Sequence, residues 1–216
     1  MLGFVPAVVP ATALISAVGY LGSLVGVFNV NQLPPGLAGD NAIMIEKAFG
    51  TCPNPPQEQL RFNSDFGTAA EMSCFNRDRL EKRYYYRKTR LLESVTRETD
   101  FYDSVTGKPL FRAPRGRSLG VFRDDVAKTG WPSFRDAEVV ADNVRVLPSG
   151  EVVSVDGTYL GQNMPDRKGN RYNINVVSIS GQPPARGKLQ EEVPGDPAKP
   201  DEPAKQDLVQ VAGPRA

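Results

Sequence analysis

Residues 152–179 read VVSVDGTYLGQNMPDRKGNRYNINVVSI, and this stretch decides the fold. Val152–Val155 and Asn173–Ile179 are rich in β-branched residues, which predicts two strands. The polar connection between them contains Asp166, Gly169 and Asn170 and predicts a long, turn-rich loop.

Segments upstream of this stretch complete a small β-rich region. Thr99–Tyr102 and Pro109–Ala113 predict the first two strands. Glu138–Val146 alternates well enough for a third strand. Pro148, Ser149 and Gly150 then predict a hairpin turn, after which Glu151–Val155 returns antiparallel. The pattern therefore indicates a mainly β domain.

Four short blocks, taken in order along the chain, carry a resemblance to a known family. They are GKPLF at 107–111, GWPSF at 130–134, YLGQ at 159–162 and RYNIN at 171–175. They resemble the GxPLF, GWPSF, HLGH and RYCIN blocks of the methionine-R-sulfoxide reductases, the MsrB family. The resemblance covers residues 99–181 and implies an MsrB-like antiparallel β domain with two small sheets.

The same resemblance implies that the family's chemistry is lost. In MsrB enzymes the cysteine of RYCIN attacks the sulfoxide sulfur, and the two histidines of HLGH help to bind and protonate its oxygen. Here the matching positions hold Asn173, Tyr159 and Gln162. An amide cannot form the sulfenic acid and the disulfide that complete this reaction. We therefore expect no catalytic residue, with a peptide-methionine (R)-S-oxide reductase as the alternative.

Three further residues match the family's substrate pocket. The resemblance makes Trp131 and Phe134 the apolar wall that receives a methyl-sulfur group, and Asn175 matches the asparagine two residues after the nucleophile. One interpretation is a remnant of substrate binding. The other is that these residues fill the core.

Composition restricts the possible metal sites. The chain contains no histidine and two cysteines, which excludes a Ser-His triad and any four-cysteine zinc site. The positions of the zinc-binding CxxC pairs found in some MsrB members hold Asp103, Thr106, Val153 and Asp156. We expect no metal and no cofactor. Asp103 and Asp156 are interpreted as surface residues, although two carboxylates leave a hard cation conceivable.

The N-terminal region predicts a membrane anchor over residues 1–39. Met1–Gly39 contains no charged residue, and the apolar run 11–30 has about the 20 residues that a bilayer-spanning helix needs. The alternatives are a buried apolar helix and a cleaved signal, although a signal needs a positively charged leading region. Gly19, Gly22 and Gly26 would lie near one helix face and let partner helices approach closely.

Residues 40–98 are predicted to form a linker with a short basic helix. Within it, 75–97 is the most basic portion and fits an amphipathic helix, although Tyr84–Tyr86 also suits a strand. This portion is either a solvated face or a contact for anionic lipid or an acidic partner. No RNA-binding motif is present, so nucleic acid is not an expected partner.

Cys52 and Cys74 lie in the same predicted linker. In an oxidising compartment they could close a loop worth about 3 kcal/mol, and in a reducing one they would be free thiols. Neither lies in the region that resembles MsrB. Taking one as a replacement nucleophile would require the linker to fold over the pocket.

The C-terminal residues 182–216 alternate proline with charged residues and predict a disordered tail. The net charge of +1 gives no general attraction to nucleic acid or membrane. Together these features suggest a single-pass, catalytically inactive accessory subunit of a membrane protein complex. By analogy, an organelle membrane such as the plastid thylakoid or the mitochondrial inner membrane is expected.

Overall fold

The structure is a computed structural model that describes residues 32–49, 54–75 and 79–184. The strands are β1 Thr99–Tyr102, β2 Pro109–Ala113, β3 Ser133–Phe134, β4 Val144–Val146, β5 Glu151–Ser154, β6 Tyr159–Asn163 and β7 Tyr172–Ile174. The α-helices are α1 Phe66–Ser73, α2 Leu91–Ser94 and α3 Leu119–Thr129. The 3-10 helices are Asn41–Phe49, Arg61–Asn63, Tyr85–Lys88, Asp136–Glu138 and Val177–Ile179.

The strands form two antiparallel sheets, which confirms a mainly β fold. β1 pairs with β2, and the second sheet has the order β3-β7-β6-β5-β4. The predicted bounds of β1 and β2 are those observed. The predicted hairpin joins β4 to β5, where Gly150 adopts a φ of 89° and donates to the carbonyl of Leu147 at 2.8 Å.

The polar stretch between the two decisive runs is not a long loop, because it contains β6. Tyr159 and Leu160 in this strand are fully buried. Both faces of β6 are covered, so polar and apolar residues do not alternate along it, and the strand was missed.

The predicted strand Asn173–Ile179 ends early, at Ile174. The backbone N–H of Val176 donates to the carboxyl group of Glu81 at 2.8 Å, which takes that amide away from the sheet. Residues 177–179 then form a 3-10 helix. The predicted strand Glu138–Val146 is likewise reduced to Val144–Val146.

The larger of two hydrophobic cores is built around four phenylalanine rings. Phe134 stacks on Phe111 with ring centroids 4.2 Å apart, meets Phe101 edge to face at 5.1 Å and lies tilted against Phe122 at 5.8 Å. All four side chains are fully buried. The smaller core contains Met44, Ala69, Met72, Leu147, Val153, Tyr159 and Val177.

The predicted linker 40–98 is wrong for the part that the structure describes. Met44, Phe62, Met72 and Leu91 from this range are all buried in the two cores. Burial of such side chains stabilises a fold by about 1.5–3 kcal/mol each. The segment therefore belongs to the same compact unit as the sheets.

The basic portion forms neither a long helix nor a strand in its described residues 79–97. Tyr84 adopts a left-handed φ of 66°, and its N–H donates to the carbonyl of Gly130 at 2.8 Å. The N–H of Arg90 donates to the carbonyl of Phe62 at 2.7 Å. Both contacts redirect the backbone, so only Tyr85–Lys88 and α2 are helical.

The predicted boundary at residue 39 also moves. Leu37 is 1% exposed, and Gly39 exchanges backbone hydrogen bonds with the edge strand β4: its N–H donates to the carbonyl of Val146 at 2.9 Å. The N–H of Val146 in turn donates to the carbonyl of Leu37 at 2.7 Å. Residues just after the apolar run thus cover the edge of the sheet.

No helix within the described ranges is long and apolar enough to cross a bilayer. The predicted span 11–30, with Gly19, Gly22 and Gly26, lies outside those ranges. The predicted tail lies outside them from residue 185 onward.

Candidate functional site

The structure brings together Asn173, Tyr159 and Gln162, the three residues that the sequence resemblance compared with catalytic positions. Asn173 on β7 is the register partner of Gln162 on β6 and of Ser133 on β3. The amide of Gln162 donates to the hydroxyl of Tyr159 at 3.0 Å. A bulge at Leu160 adds one residue to β6, so residues 159 and 162 reach the same face.

Both ends of the Asn173 amide are engaged. Its oxygen accepts from the hydroxyl of Ser133 at 2.7 Å, and that hydroxyl also lies 2.8 Å from the hydroxyl of Thr129. Its nitrogen lies 3.1 Å from the sulfur of Met164 and donates to it. Asn173 is 2% exposed, whereas Met164 is 44% exposed and covers it. The site thus holds the thioether of Met164 against the Asn173 amide.

The predicted pocket remnant is dispersed. Phe134 is a fully buried member of the larger core, so it does not line a cavity. Trp131 is half-buried, and its indole N–H donates to the carbonyl of Glu81 at 3.0 Å. Asn175 is fully buried and accepts from the N–H of Glu81 at 2.8 Å. Trp131 and Asn175 therefore position residue 81.

The carboxyl group of Glu81 is a feature that sequence analysis missed. It is buried at the floor of a cleft of about 400 Å³, whose lining includes Arg79, Lys82 and Tyr85. Burial raises the pKa of Glu81 to about 8. Hydrogen bonds from the N–H groups of Val176 and Val177 favour the charged form and oppose this shift, but burial has the larger effect. Nothing in its basic sequence neighbourhood indicates burial, because the cause is packing against the end of β7.

The interpretation of Asp103 as a surface residue is wrong, because its carboxyl group is fully buried. One oxygen accepts from the N–H of Val105 at 2.8 Å and from the hydroxyl of Thr158 at 3.0 Å. Burial raises the pKa of Asp103. Asp156 pairs instead with Lys108 at 3.0 Å.

A lysine supplies positive charge near Asp103. Lys47 is 6% exposed and donates to the carbonyl of Ser73 at 3.3 Å. Burial lowers the pKa of Lys47, while Asp103 and Asp156 act in the opposite direction. Within residues 32–49, 54–75 and 79–184, no group of three or more His, Cys, Asp or Glu side chains could hold a metal ion.

An ion-pair network closes the other end of the sheet. Arg117 contacts Asp125 and Glu138, each at 2.6 Å, and Arg135 contacts Asp166 at 2.8 Å. The hydrogen bond from Arg135 contributes most to lowering the pKa of Asp166, to about 2. Beside this network lies a cleft of about 320 Å³. Its three arginines, Arg115, Arg117 and Arg135, already have carboxylate partners, so we assign it a structural role.

Cys74 is 2% exposed and disulfide-bonded. A thiol engaged in a disulfide is not an available nucleophile. Cys52 lies outside the described residues.

Comparison with known proteins found no matching family model and no matching curated protein.

Proposed function

We propose that this chain is a membrane-anchored, non-catalytic accessory subunit of a membrane protein complex, built on an MsrB-like β domain. The observation that carries the proposal is the state of Asn173. Both ends of its amide are hydrogen-bonded within the chain, the oxygen to Ser133 and the nitrogen to the sulfur of Met164. A site whose central group is fixed in this way is suited to holding structure together.

The neighbouring groups support the same proposal. Tyr159 is fully buried, and the amide of Gln162 donates to its hydroxyl, so the two side chains engage each other within the site. The pKa of Glu81 lies nearer neutrality, but its carboxyl group accepts hydrogen bonds from the N–H groups of Val176 and Val177. Its contacts make it a cap for the 3-10 helix that follows β7.

The predicted anchor and the basic portion supply the contacts that a subunit needs. The glycine face at Gly19, Gly22 and Gly26 would pack on partner helices. The basic portion would contact lipid or an acidic surface beside the membrane. An organelle membrane, plastid or mitochondrial, is the proposed location.

The test is affinity purification from native membranes in mild detergent, followed by native electrophoresis and mass spectrometry. We expect the chain to migrate in a large assembly with a reproducible set of membrane proteins. Migration as a monomer without co-purifying proteins would end the subunit proposal. In parallel, the chain should not reduce a methionine-R-sulfoxide peptide with dithiothreitol, and Cys74→Ser should behave identically.

A second candidate is a module that binds methionine sulfoxide or a thioether, and it is favoured by the contact between Asn173 and the sulfur of Met164. If Met164 occupies the ligand's place, Met164→Ala should raise the affinity for a methionine-sulfoxide peptide in calorimetric titration. Asn173→Ala should then abolish it. Absence of binding by both Met164→Ala and the unmodified chain would remove this candidate.

A further inference from the structure

A basic surface lies where residues 82–88 meet the C-terminal end of α3. We define this basic surface as Lys82, Arg83, Arg87, Lys88 and Lys128, all of which are exposed. Among the residues that the structure describes, none of the five forms an ion pair. Eight other cations of the described residues form ion pairs, whereas the five cations of this surface lie together without one.

Two cations of the basic surface, Arg83 and Arg87, are held in place before any ligand arrives. The guanidinium of Arg83 donates to the carbonyls of Thr129 at 2.7 Å and Lys128 at 3.0 Å. The guanidinium carbons of Arg83 and Arg87 lie 4.9 and 4.5 Å from the ring centroid of Tyr84. Tyr84 keeps its left-handed backbone through its hydrogen bond to Gly130. Fixed side chains lose little freedom on binding.

Half-buried aromatic rings accompany these cations. Tyr84, Tyr85 and Trp131 are each partly exposed, and the guanidinium of Arg83 lies 5.8 Å from the Trp131 ring. Tyrosine and tryptophan are enriched at the headgroup level of bilayers, and clustered Lys and Arg attract anionic lipids. The combination is typical of a membrane-facing surface.

The path of the chain places such a surface within reach of the bilayer. The carbonyl of Gln32, two residues after the apolar run, accepts from the side chain of Asn170 at 3.2 Å. Asn170 and Val121 line the same cleft at the N-terminal end of α3. The 11-residue helix spans roughly 16 Å from there to the basic surface. The basic surface therefore lies within about the length of this helix from the cleft beside Gln32.

We propose that the basic surface binds the phosphates of anionic lipid headgroups in the membrane that holds the 11–30 anchor. This inference rests on the proposed anchoring and adds to it a second, charge-dependent contact. That contact fixes which side of the β domain faces the bilayer.

Trp131 makes the contact measurable, because it is the one tryptophan of the chain and it lies beside Arg83. The full chain is reconstituted in phosphatidylcholine vesicles with or without about 30% phosphatidylglycerol. Quenching of its fluorescence by headgroup-labelled lipid is then recorded. We expect about threefold more quenching in the anionic vesicles, lost at about 0.5 M salt.

The triple variant Lys82→Glu, Arg87→Glu and Lys88→Glu should reduce quenching to the level of neutral vesicles. Arg83 is left intact because it caps α3. The matched control, Arg97→Glu, Lys108→Glu and Arg112→Glu, changes the charge equally at exposed positions and should keep the quenching. Circular dichroism confirms that each variant is folded.

Flotation separates this inference from the function on which it rests. Failure to float with phosphatidylcholine vesicles would remove the proposed anchor. Flotation with equal quenching in neutral and anionic vesicles would overturn the basic surface as a lipid site and leave the anchor standing. Binding of a labelled single-stranded RNA without any response to anionic lipid would also overturn it.

Discussion

Glu81→Gln tests the most unusual electrostatic feature of the domain. The substitution keeps the shape of the side chain and its acceptor for the N–H of Val176, but it removes the ionisable proton. It therefore mimics the protonated carboxyl group at every pH. The difference in unfolding free energy between the two chains isolates Glu81 from Asp103, whose pKa is also raised by burial.

The expected magnitude follows from the pKa of Glu81, which rises from 4.5 to about 8 on folding. Because the folded pKa is the higher one, the stabilisation is complete below pH 4.5 and is lost as pH rises through about 8. Each pH unit in this window removes about 1.4 kcal/mol. From about pH 5 to pH 8.5, the unfolding free energy of Glu81→Gln should therefore rise by about 4 kcal/mol relative to that of the unmodified chain.

The assay is urea unfolding in mild detergent, followed by the fluorescence of Trp131, whose indole N–H contacts the carbonyl of Glu81. Exposed Glu58 provides the control, and Glu58→Gln should show no comparable change with pH. A difference that stays constant from about pH 5 to pH 8.5 would refute the reasoning. A variant that becomes relatively less stable at high pH would show that the Val176 and Val177 amides outweigh burial.

Three further outcomes are expected. Phe134→Ala should lower the unfolding free energy by about 3–5 kcal/mol in urea titration, because it removes a ring stacked on Phe111. A loss under about 1 kcal/mol would place this side chain outside the core. Gly161→Ala should abolish cooperative thermal unfolding, as followed by circular dichroism. A Cβ at this position would lie 2.2 Å from the carbonyl oxygen of Asn173 and would separate β6 from β7. A normal melting curve would contradict this. Hydrogen peroxide should oxidise Met164 about tenfold faster than Met44 and Met72, as measured by peptide mass spectrometry. Met164 is 44% exposed, whereas Met44 is 0% and Met72 is 4% exposed. Equal rates would mean that Met164 is shielded.

Strands with local signals could be predicted from the sequence. β1, β2 and the hairpin at Gly150 follow from β-branched or aromatic runs next to turn residues. β6 could not be predicted in the same way, because it is buried between two strands and lacks alternation. The helix α3 was missed although Ser118 caps its N-terminus and Gly130 ends it with a φ of 90°.

The grouping of Asn173 with Gln162 came from the sequence resemblance, because β6 itself was not predicted. Asn173 and Gln162 are neighbours on β7 and β6. The sulfur of Met164, the buried carboxyl groups of Glu81 and Asp103, and the burial of Phe134 depend on long-range packing. Charge at positions 81 and 103 indicated surface residues, because isolated acids are rarely buried. Hydrogen bonds from backbone amides offset that cost here, from the nearby Val105 at Asp103 and from the distant Val176 at Glu81.

The strand-edge contact of residues 37–39 has a practical consequence for dissecting the chain. A fragment that starts at Asp40 would lose Leu37 and leave the N–H and carbonyl of Val146 without their partners. An uncovered strand edge invites pairing with a second molecule. A fragment meant to omit the apolar run should therefore begin at Gln32. In size-exclusion chromatography, this fragment should elute without the aggregates that we expect of the fragment beginning at Asp40.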